Sequence, residues 1–466
     1  WDESFQIAHF SVIRFGDFKM ILKLVCSVYG IISSPPIFNV LNFGAKGDNV
    51  TDDSRAIRAA YAACNASGAG TVVFPAPHTF RSGPIVMHCS NSITVIEGVW
   101  AARATTLNWP FGLDCPEPSQ GGPPQQMAPL LLLDHVHNVT IRGGGTLDGN
   151  GEMWWRHACG NWWCPPENAH AGAETETTKT PPKKAFRPFL LRIEHSHDVT
   201  VENITFFNPG FWNLVPVRSQ HILIQDVNVT ARWPEGSKKP APADPYAATP
   251  NTDGFEPMWS NHVTFRRCRV LNGDDCITIK SGSSNILVED LYCEHGDGLT
   301  IGSIWYDDVT NVTYRRVVMN RTHNGPMIKG RSQGNATVSN ITFENIELID
   351  VRLALTVDCV YETLGTVVPN TGVQALGITF RNISGTVIQE KGLDHDPTML
   401  TDASGTFFAH DATRKIEVTL ENIVLRKADR ADKTPPAWLC NHSNITVRGV
   451  VEPPLSESCR FRYNEL

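Results

Sequence analysis

A short β-branched phrase recurs along this 466-residue chain. It reads Asn138-Val-Thr-Ile, Asp198-Val-Thr-Val, His221-Ile-Leu-Ile, His262-Val-Thr-Phe, Asn285-Ile-Leu-Val, Asn311-Val-Thr-Tyr, Asn340-Ile-Thr-Phe, Gly377-Ile-Thr-Phe, Glu417-Val-Thr-Leu and Asn444-Ile-Thr-Val. Successive starts lie 60, 23, 41, 23, 26, 29, 37, 40 and 27 residues apart. A period in the twenties, lengthened by insertions, describes stacked units rather than separate globules. The β-branched core of each phrase suits a strand, and the polar residues and Gly that follow suit a turn. The Leu-x-x-Leu-x-Leu frame of leucine-rich repeats is missing. Amphipathic helices of about 10–15 residues between the strands are missing too, which argues against a βα barrel or a doubly wound sheet. The expected fold is all-β: a parallel β-helix of three short strands per turn, each turn ~4.8 Å above the last.

Length alone, at roughly 150 residues per domain, would suggest about three domains; the repeat replaces them with one coil. Apolar residues at 41% and charged residues at 19% supply a large core, and 36 Gly with 31 Pro supply corners. The net charge of -8 carries no basic stripe, so no nucleic-acid partner is expected. No apolar run reaches the ~18–20 residues that span a bilayer, so no membrane partner is expected either. The nearest run, Met20 to Ile32, has 13 residues with Lys23 inside it, and Ser33 and Ser34 follow. It has the shape of a secretory h-region, with Met20 as the expected start of translation. Residues 1–36 therefore read as an N-terminal extension with a signal-like segment at 20–34, and residues 37–466 as the β-helix. Two insertions, 152–186 and 232–250, read as loops on one side of the solenoid. The first carries Trp154, Trp155, Trp162 and Trp163, either a sugar-stacking platform or a self-packed mini-core. Thr51-Asp-Asp-Ser before an Ala-rich run reads as the start of a helix capping the coil, which makes Asp52 and Asp53 caps rather than catalysts.

Twelve Cys occur without zinc-site spacing. Local pairs suggest themselves: Cys64 with Cys89, Cys276 with Cys293, Cys440 with Cys459, and Cys159 with Cys164. Asn-x-Ser/Thr occurs at Asn49, Asn65, Asn138, Asn203, Asn228, Asn311, Asn320, Asn335, Asn340, Asn382, Asn441 and Asn444. Several of these begin the repeated phrase, where an Asn ladder is the competing explanation. Together they favour a secreted protein.

The chemistry concentrates between residues 250 and 330. There lie Asn251-Thr252-Asp253-Gly254, Gly273-Asp274-Asp275-Cys276, His295-Gly296-Asp297-Gly298-Leu299-Thr300-Ile301-Gly302-Ser303 and Met327-Ile328-Lys329. Asp253 to Asp274 is 21 residues, Asp274 to His295 is 21, and Asp275 to Asp297 is 22. If one coil has that length, these side chains stack on consecutive turns and face one groove. Crowded carboxylates raise the pKa of at least one of them, which sets a protonated acid beside an ionised base. That pair can split a glycosidic bond. A separation of ~6.5–9.5 Å, about two stacking levels, would admit a water and invert the anomeric centre. Two competing explanations are turn decoration by Asp-Gly and a calcium site of a β-helix polysaccharide lyase.

The order of these motifs resembles glycoside hydrolase family 28, the polygalacturonases and their relatives. The resemblance runs from about Phe38 to the C-terminal Cys pair. It implies a right-handed, pectin lyase-like β-helix and inverting hydrolysis of an α-linked galacturonate chain by a monomer without metal or cofactor. It further implies Asp274 as general acid, Asp253 and Asp275 as holders of the water, and Asn251 as groove support. Lys329 and Tyr361 would contact substrate, and a bridge between Cys276 and Cys293 would be expected. Two positions depart from the family pattern. Asp297 stands where the family has His, with His295 two residues earlier as a partial substitute. Met327 stands where it has Arg, with Arg331 the nearest spare guanidinium. Those losses weaken bidentate carboxylate recognition. They point to a neutral or substituted sugar at the leaving position, as in rhamnogalacturonan, or to exo action behind a loop. The alternatives from other classes are the calcium lyase and a non-catalytic glycan-binding relative.

Overall fold

The computed structural model describes residues 34–103, 105, 108–114, 125–155, 187–233, 249–361, 371–388, 403–409, 413–429 and 436–459. From Ile37 on, the chain winds as a right-handed parallel β-helix. The repeated phrase is its register mark. Val139, Val199, Ile222, Val263, Ile286, Val312, Ile341, Ile378, Val418 and Ile445 pair one above the next in parallel. All but Ile445 are buried. The uneven gaps in sequence are thus differences in loop length, and no coil is skipped.

The first residue of the phrase has its own reason. Asn138, Asp198, His221, His262, Asn285, Asn311, Asn340 and Gly377 all have left-handed backbone, with φ between 51° and 64°. Asn, Asp, His and Gly tolerate that region better than other residues. At several coils the Asn side chains continue as a ladder. Asn138 donates to Asn91 and Asn311 to Asn285, at 3.1 and 3.0 Å, and Asn340 donates to Asn311. A second ladder runs from Asn422 to Asn382 to Asn345, each step 3.1 Å. The ladder therefore accounts for the Asn-x-Ser/Thr pattern at Asn138, Asn311, Asn340 and Asn382.

A second sheet carries the site. Its strands Asp275–Ile279, Gly298–Ile304, Pro326–Gly330 and Leu353–Asp358 stack in that order. Alternation turns Ile279, Ile301, Ile328 and Val357 into the core, in register and fully buried. The residues on either side of them face outward. Behind, Tyr314, Phe343 and Phe380 stack ring on ring at 4.8 and 5.2 Å. Burying one such ring contributes about 2–3 kcal/mol.

The helix Ser54–Ser67 covers the N-terminal coils with Ile57, Ala60 and Tyr61. Asp52 accepts from Ser54 N at 2.9 Å, which is a capping bond. Asp53 stands at the N-cap position, but its carboxylate turns away to hold Lys46 N and Gly47 N at 2.6 and 3.1 Å. Cys64–Cys89 and Cys440–Cys459 are disulfides, one near each end of the coil. The expected Cys276–Cys293 bridge is not formed. Both are buried thiols that hydrogen-bond each other, and the Cys276 sulfur also leans on Asn272 Oδ1 at 3.9 Å. Cys159 and Cys164, the signal-like segment, Trp162 and Trp163 lie outside the described residues. Trp154 and Trp155 are 2% exposed and pack on Trp109 and Trp233, so these two form a mini-core rather than an open platform.

Candidate active site

Stacking brings the three acidic motifs together. Gly254 N donates to Asp275 O at 2.9 Å, and Asp297 N donates to Asp274 O at 2.8 Å. The glycines beside the carboxylates permit this approach. A Cβ on Gly254 would lie 2.2 Å from Cys276 O, and one on Gly298 would lie 2.1 Å from Asn324 O. Asp253, Asp274 and Asp275 each contribute a carboxylate oxygen to a set lying within 4.8 Å of one another. That is tighter than two stacking levels would give, because Asp274 and Asp275 are neighbours in one coil and Asp253 lies on the adjoining one. Oxygen spacing alone therefore does not fix the stereochemical outcome.

Each carboxylate sits in a different environment. Asp274 accepts from Asp275 N at 2.8 Å and from Asn251 Nδ2 at 3.2 Å. Burial, then the charges of Asp297 and Asp275, push its carboxyl up to about 7, against the pull of Lys329. Asp253 is also pushed well above the ordinary range, by burial first and then by Asp274 and Glu256. Its Oδ1 is buried and takes no hydrogen bond from the described residues. Asp275 is held by a cation and a hydroxyl. Lys329 Nζ lies 3.0 Å from both of its oxygens, and Thr300 Oγ1 donates to it at 2.5 Å. Burial alone would pull the Lys329 ammonium down, but Asp275 above all holds it well above its usual range. Buried charges of this kind persist only when paired.

Tyr361 lies under Lys329, 5.5 Å from ring centre to Nζ. Arg331 lies over the same ring at 5.2 Å and over Trp305 at 5.6 Å, and it donates to Tyr361 O. It therefore braces the Tyr361 turn. Met327 is 3% exposed between Thr300 and Thr356, an apolar side chain in that row. His295 ends the strand Ser284–His295 in left-handed backbone opposite Asn272, and it is Asp297 that stacks on Asp274.

Three contributors escape a reading of the sequence. Arg187, at the end of the 152–186 insertion, is buried; its Nη2 donates to Asn251 Oδ1 at 2.6 Å, and its charge is felt by Asp274 and Asp253. Glu256, fully buried, lies 3.7 Å from Lys280 Nζ and presses on Asp253. His323 pairs with Asp297 at 2.7 Å. Only the last has a readable clue, since His323 follows Asp297 by 26 residues, one coil.

A carboxyl raised to about 7 beside an ammonium-paired carboxylate, on a parallel β-helix, is equipment suited to acid-base hydrolysis of a glycosidic bond. The chain belongs to glycosyl hydrolases family 28, whose description matches residues 64–394. A polygalacturonase of Prunus persica is 28% identical over 450 residues, covering 94% of this chain and 97% of its own. A polygalacturonase of Chamaecyparis obtusa is 28% identical over 359 residues, covering 75% of this chain; the match spans 62% of the relative's length. Among solved structures, an endo-xylogalacturonan hydrolase of Aspergillus tubingensis superposes with a TM-score of 0.66 at 20% identity, covering 89% of this chain and all of the other.

Proposed function

We propose that this chain is a secreted, monomeric hydrolase of α-linked galacturonate chains in pectic polysaccharide, with Asp274 as general acid. The observation that carries the reading is the Asp274 carboxyl, held up to about 7 beside an Asp275 neutralised by Lys329. Asp274 gives its proton to the glycosidic oxygen as that bond breaks. Asp275 takes a proton from the attacking water, and Asp253 helps to hold that water. Burial and the charge of Asp274 favour the protonated form of Asp253. Asn251, fixed by Arg187, and Lys329 over Tyr361 line the groove. Attack by water on the face opposite the leaving oxygen inverts the anomeric centre in one step. The disulfides Cys64–Cys89 and Cys440–Cys459 support an oxidising, secretory route.

Met327 supports a backbone whose sugar at the leaving position is neutral or substituted, because a thioether cannot fork a carboxylate. Xylogalacturonan and rhamnogalacturonan backbones are such substrates, and exo action on plain polygalacturonan is the further option. A calcium lyase fits less well, because the Lys329 ammonium sits 3.0 Å from both oxygens of Asp275, where a bidentate cation would have to lie. The test is a product profile on polygalacturonan, rhamnogalacturonan and xylogalacturonan, with Asp274→Asn as control. Saturated reducing ends that disappear with Asp274→Asn are expected. Unsaturated, ultraviolet-absorbing products that vanish with chelator would establish the lyase. Glycan binding without turnover in the parent protein would establish a non-catalytic relative.

A further inference from the structure

One short pattern occurs twice on neighbouring coils near the N-terminal end of the helix. An acid, a His, any residue, a second His and then Asn or Asp read Asp134-His135-Val136-His137-Asn138 and Glu194-His195-Ser196-His197-Asp198. The copies lie in register, Asp134 beside Glu194 and His137 beside His197. His135 and His195 both take left-handed backbone, at φ 53° and 49°. At several other coils such backbone is met by Asn, whose amides form ladders. Here it is met twice by imidazole, and the two exposed rings stack at 4.7 Å with 16° between their planes. The stack ends there, because Arg218 takes the equivalent turn of the next coil.

A carboxylate completes the group. One donor atom from each of Asp134, His135 and His195 lies within 4.8 Å of the others. Asp134 Oδ1 is 2.6 Å from His135 Nδ1, and Asp134 Oδ2 is 3.7 Å from Nδ1 of His88 on the preceding coil. The acid of the second copy, Glu194, is drawn to Arg192 Nη2 at 2.8 Å, whereas the ion-pair contacts of Asp134 are all with imidazoles. Bonds of about 2.0–2.2 Å set the donors of a tetrahedral zinc roughly 3.4 Å apart. The three donors therefore need to close by at most about 1.4 Å, which rotation of the exposed rings supplies. Two imidazoles and one carboxylate suit a borderline transition cation, while calcium and magnesium take shells of oxygen.

We propose that Asp134, His135 and His195 form a binding site for a divalent transition cation of the zinc class, with water completing its shell and His88 as an outer partner of Asp134. The ion ties together two coils, whose strands Leu131–Asp134 and Leu191–Glu194 pair in parallel. Between the two copies of the pattern the chain runs through the 152–186 insertion, so the ion closes the coil that carries this loop. Its role is structural. It lies two coils before the one that carries Asp253 and shares no residue with Asp253, Asp274 and Asp275, so it stands apart from the hydrolase reading.

The experiment titrates Zn2+ calorimetrically into the full chain after chelator treatment and dialysis. One ion should bind with micromolar affinity. His135→Asn and His195→Asn each remove a ligand, while Asn still tolerates the left-handed backbone. Each should weaken zinc by at least about 100-fold, and Asp134→Asn by at least about 10-fold. Asp274→Asn should leave the affinity unchanged, which separates this site from the carboxylates of the groove. Zinc at about one hundred times Kd should raise Tm by about 3 °C in the parent and by less than about 1 °C in His135→Asn. Copper(II), which takes the same donors more tightly, is the spectroscopic probe. Its electron paramagnetic resonance should show two imidazole nitrogens in the parent and one in either His variant. The parent spectrum decides the matter even if a variant fails to fold: copper held by oxygen alone overturns the proposal. So do an absence of zinc binding, an affinity untouched by both His variants, and an affinity lost with Asp274→Asn.

Discussion

Replacing Asp274 with Asn should make the protein more stable at alkaline pH while it abolishes hydrolysis. The folded chain holds this carboxyl at about 7, against an ordinary 3.8. Between those values the folded state keeps a proton that the unfolded chain has lost, so stability falls as pH rises through that window and is flat above it. At about 1.4 kcal/mol per pH unit, the cost above pH 7 is on the order of 4 kcal/mol. An amide at this position is neutral throughout, so Asp274→Asn removes this cost. The substitution keeps the acceptor that Asp275 N uses, but it sets an amide against Asn251 Nδ2, a loss of about 1 kcal/mol that is the same at every pH. For about 430 residues the unfolding entropy is roughly 0.9 kcal/mol/K, so the benefit corresponds to about 4–5 °C in Tm. The assay is a set of thermal melts of parent and variant from pH 4 to pH 9. The difference in Tm should rise by about 4–5 °C between pH 4 and pH 8. A pH-independent difference would refute the argument that Asp274 is a buried, strained acid.

Three further outcomes follow from the same geometry. The alkaline limb of kcat/KM should fall with an apparent pKa near 7, because the acid must be protonated to work; a limb above pH 9 would assign the proton to another group. Lys329→Met should cost about 3–5 kcal/mol in denaturant melts and most of the activity, because it leaves Asp275 buried without its ammonium; a variant as stable as the parent would contradict the pairing. Met327→Arg should raise activity on unsubstituted polygalacturonan relative to xylogalacturonan by about tenfold, because it restores a fork for a carboxylate; an unchanged ratio would count against Met327 as a determinant of substrate choice.

The coil is legible in the sequence because its signal is repeated. Ten phrases fall in one column, and a strand whose one face is always buried has a fixed register. The Asp triad is legible for a related reason: Asp-Gly and Asp-Asp at intervals of one coil survive as a spacing. What is not legible depends on turns that break the spacing. Arg187 reaches Asn251 across 64 residues that include whole coils and the 232–250 insertion, a distance no periodicity measures. His323 sits 26 residues after Asp297, and the longer coil there hides it behind His295, which shares the 21-residue interval. The Cys276–Cys293 bridge rests on the resemblance and on proximity in sequence. The structure brings the two sulfurs into contact without bonding them.

The most direct measurement is the anomeric configuration of the first product. Proton nuclear magnetic resonance of an early digest, taken before mutarotation equilibrates the ends, resolves α from β signals. Single-step attack by an Asp275-activated water on an α-linked galacturonate should give the β-anomer first. An α-anomer first would demand a covalent intermediate on one of the close-set carboxylates, and an unsaturated end would demand elimination. Either would contradict acid catalysis by Asp274 with direct displacement by water.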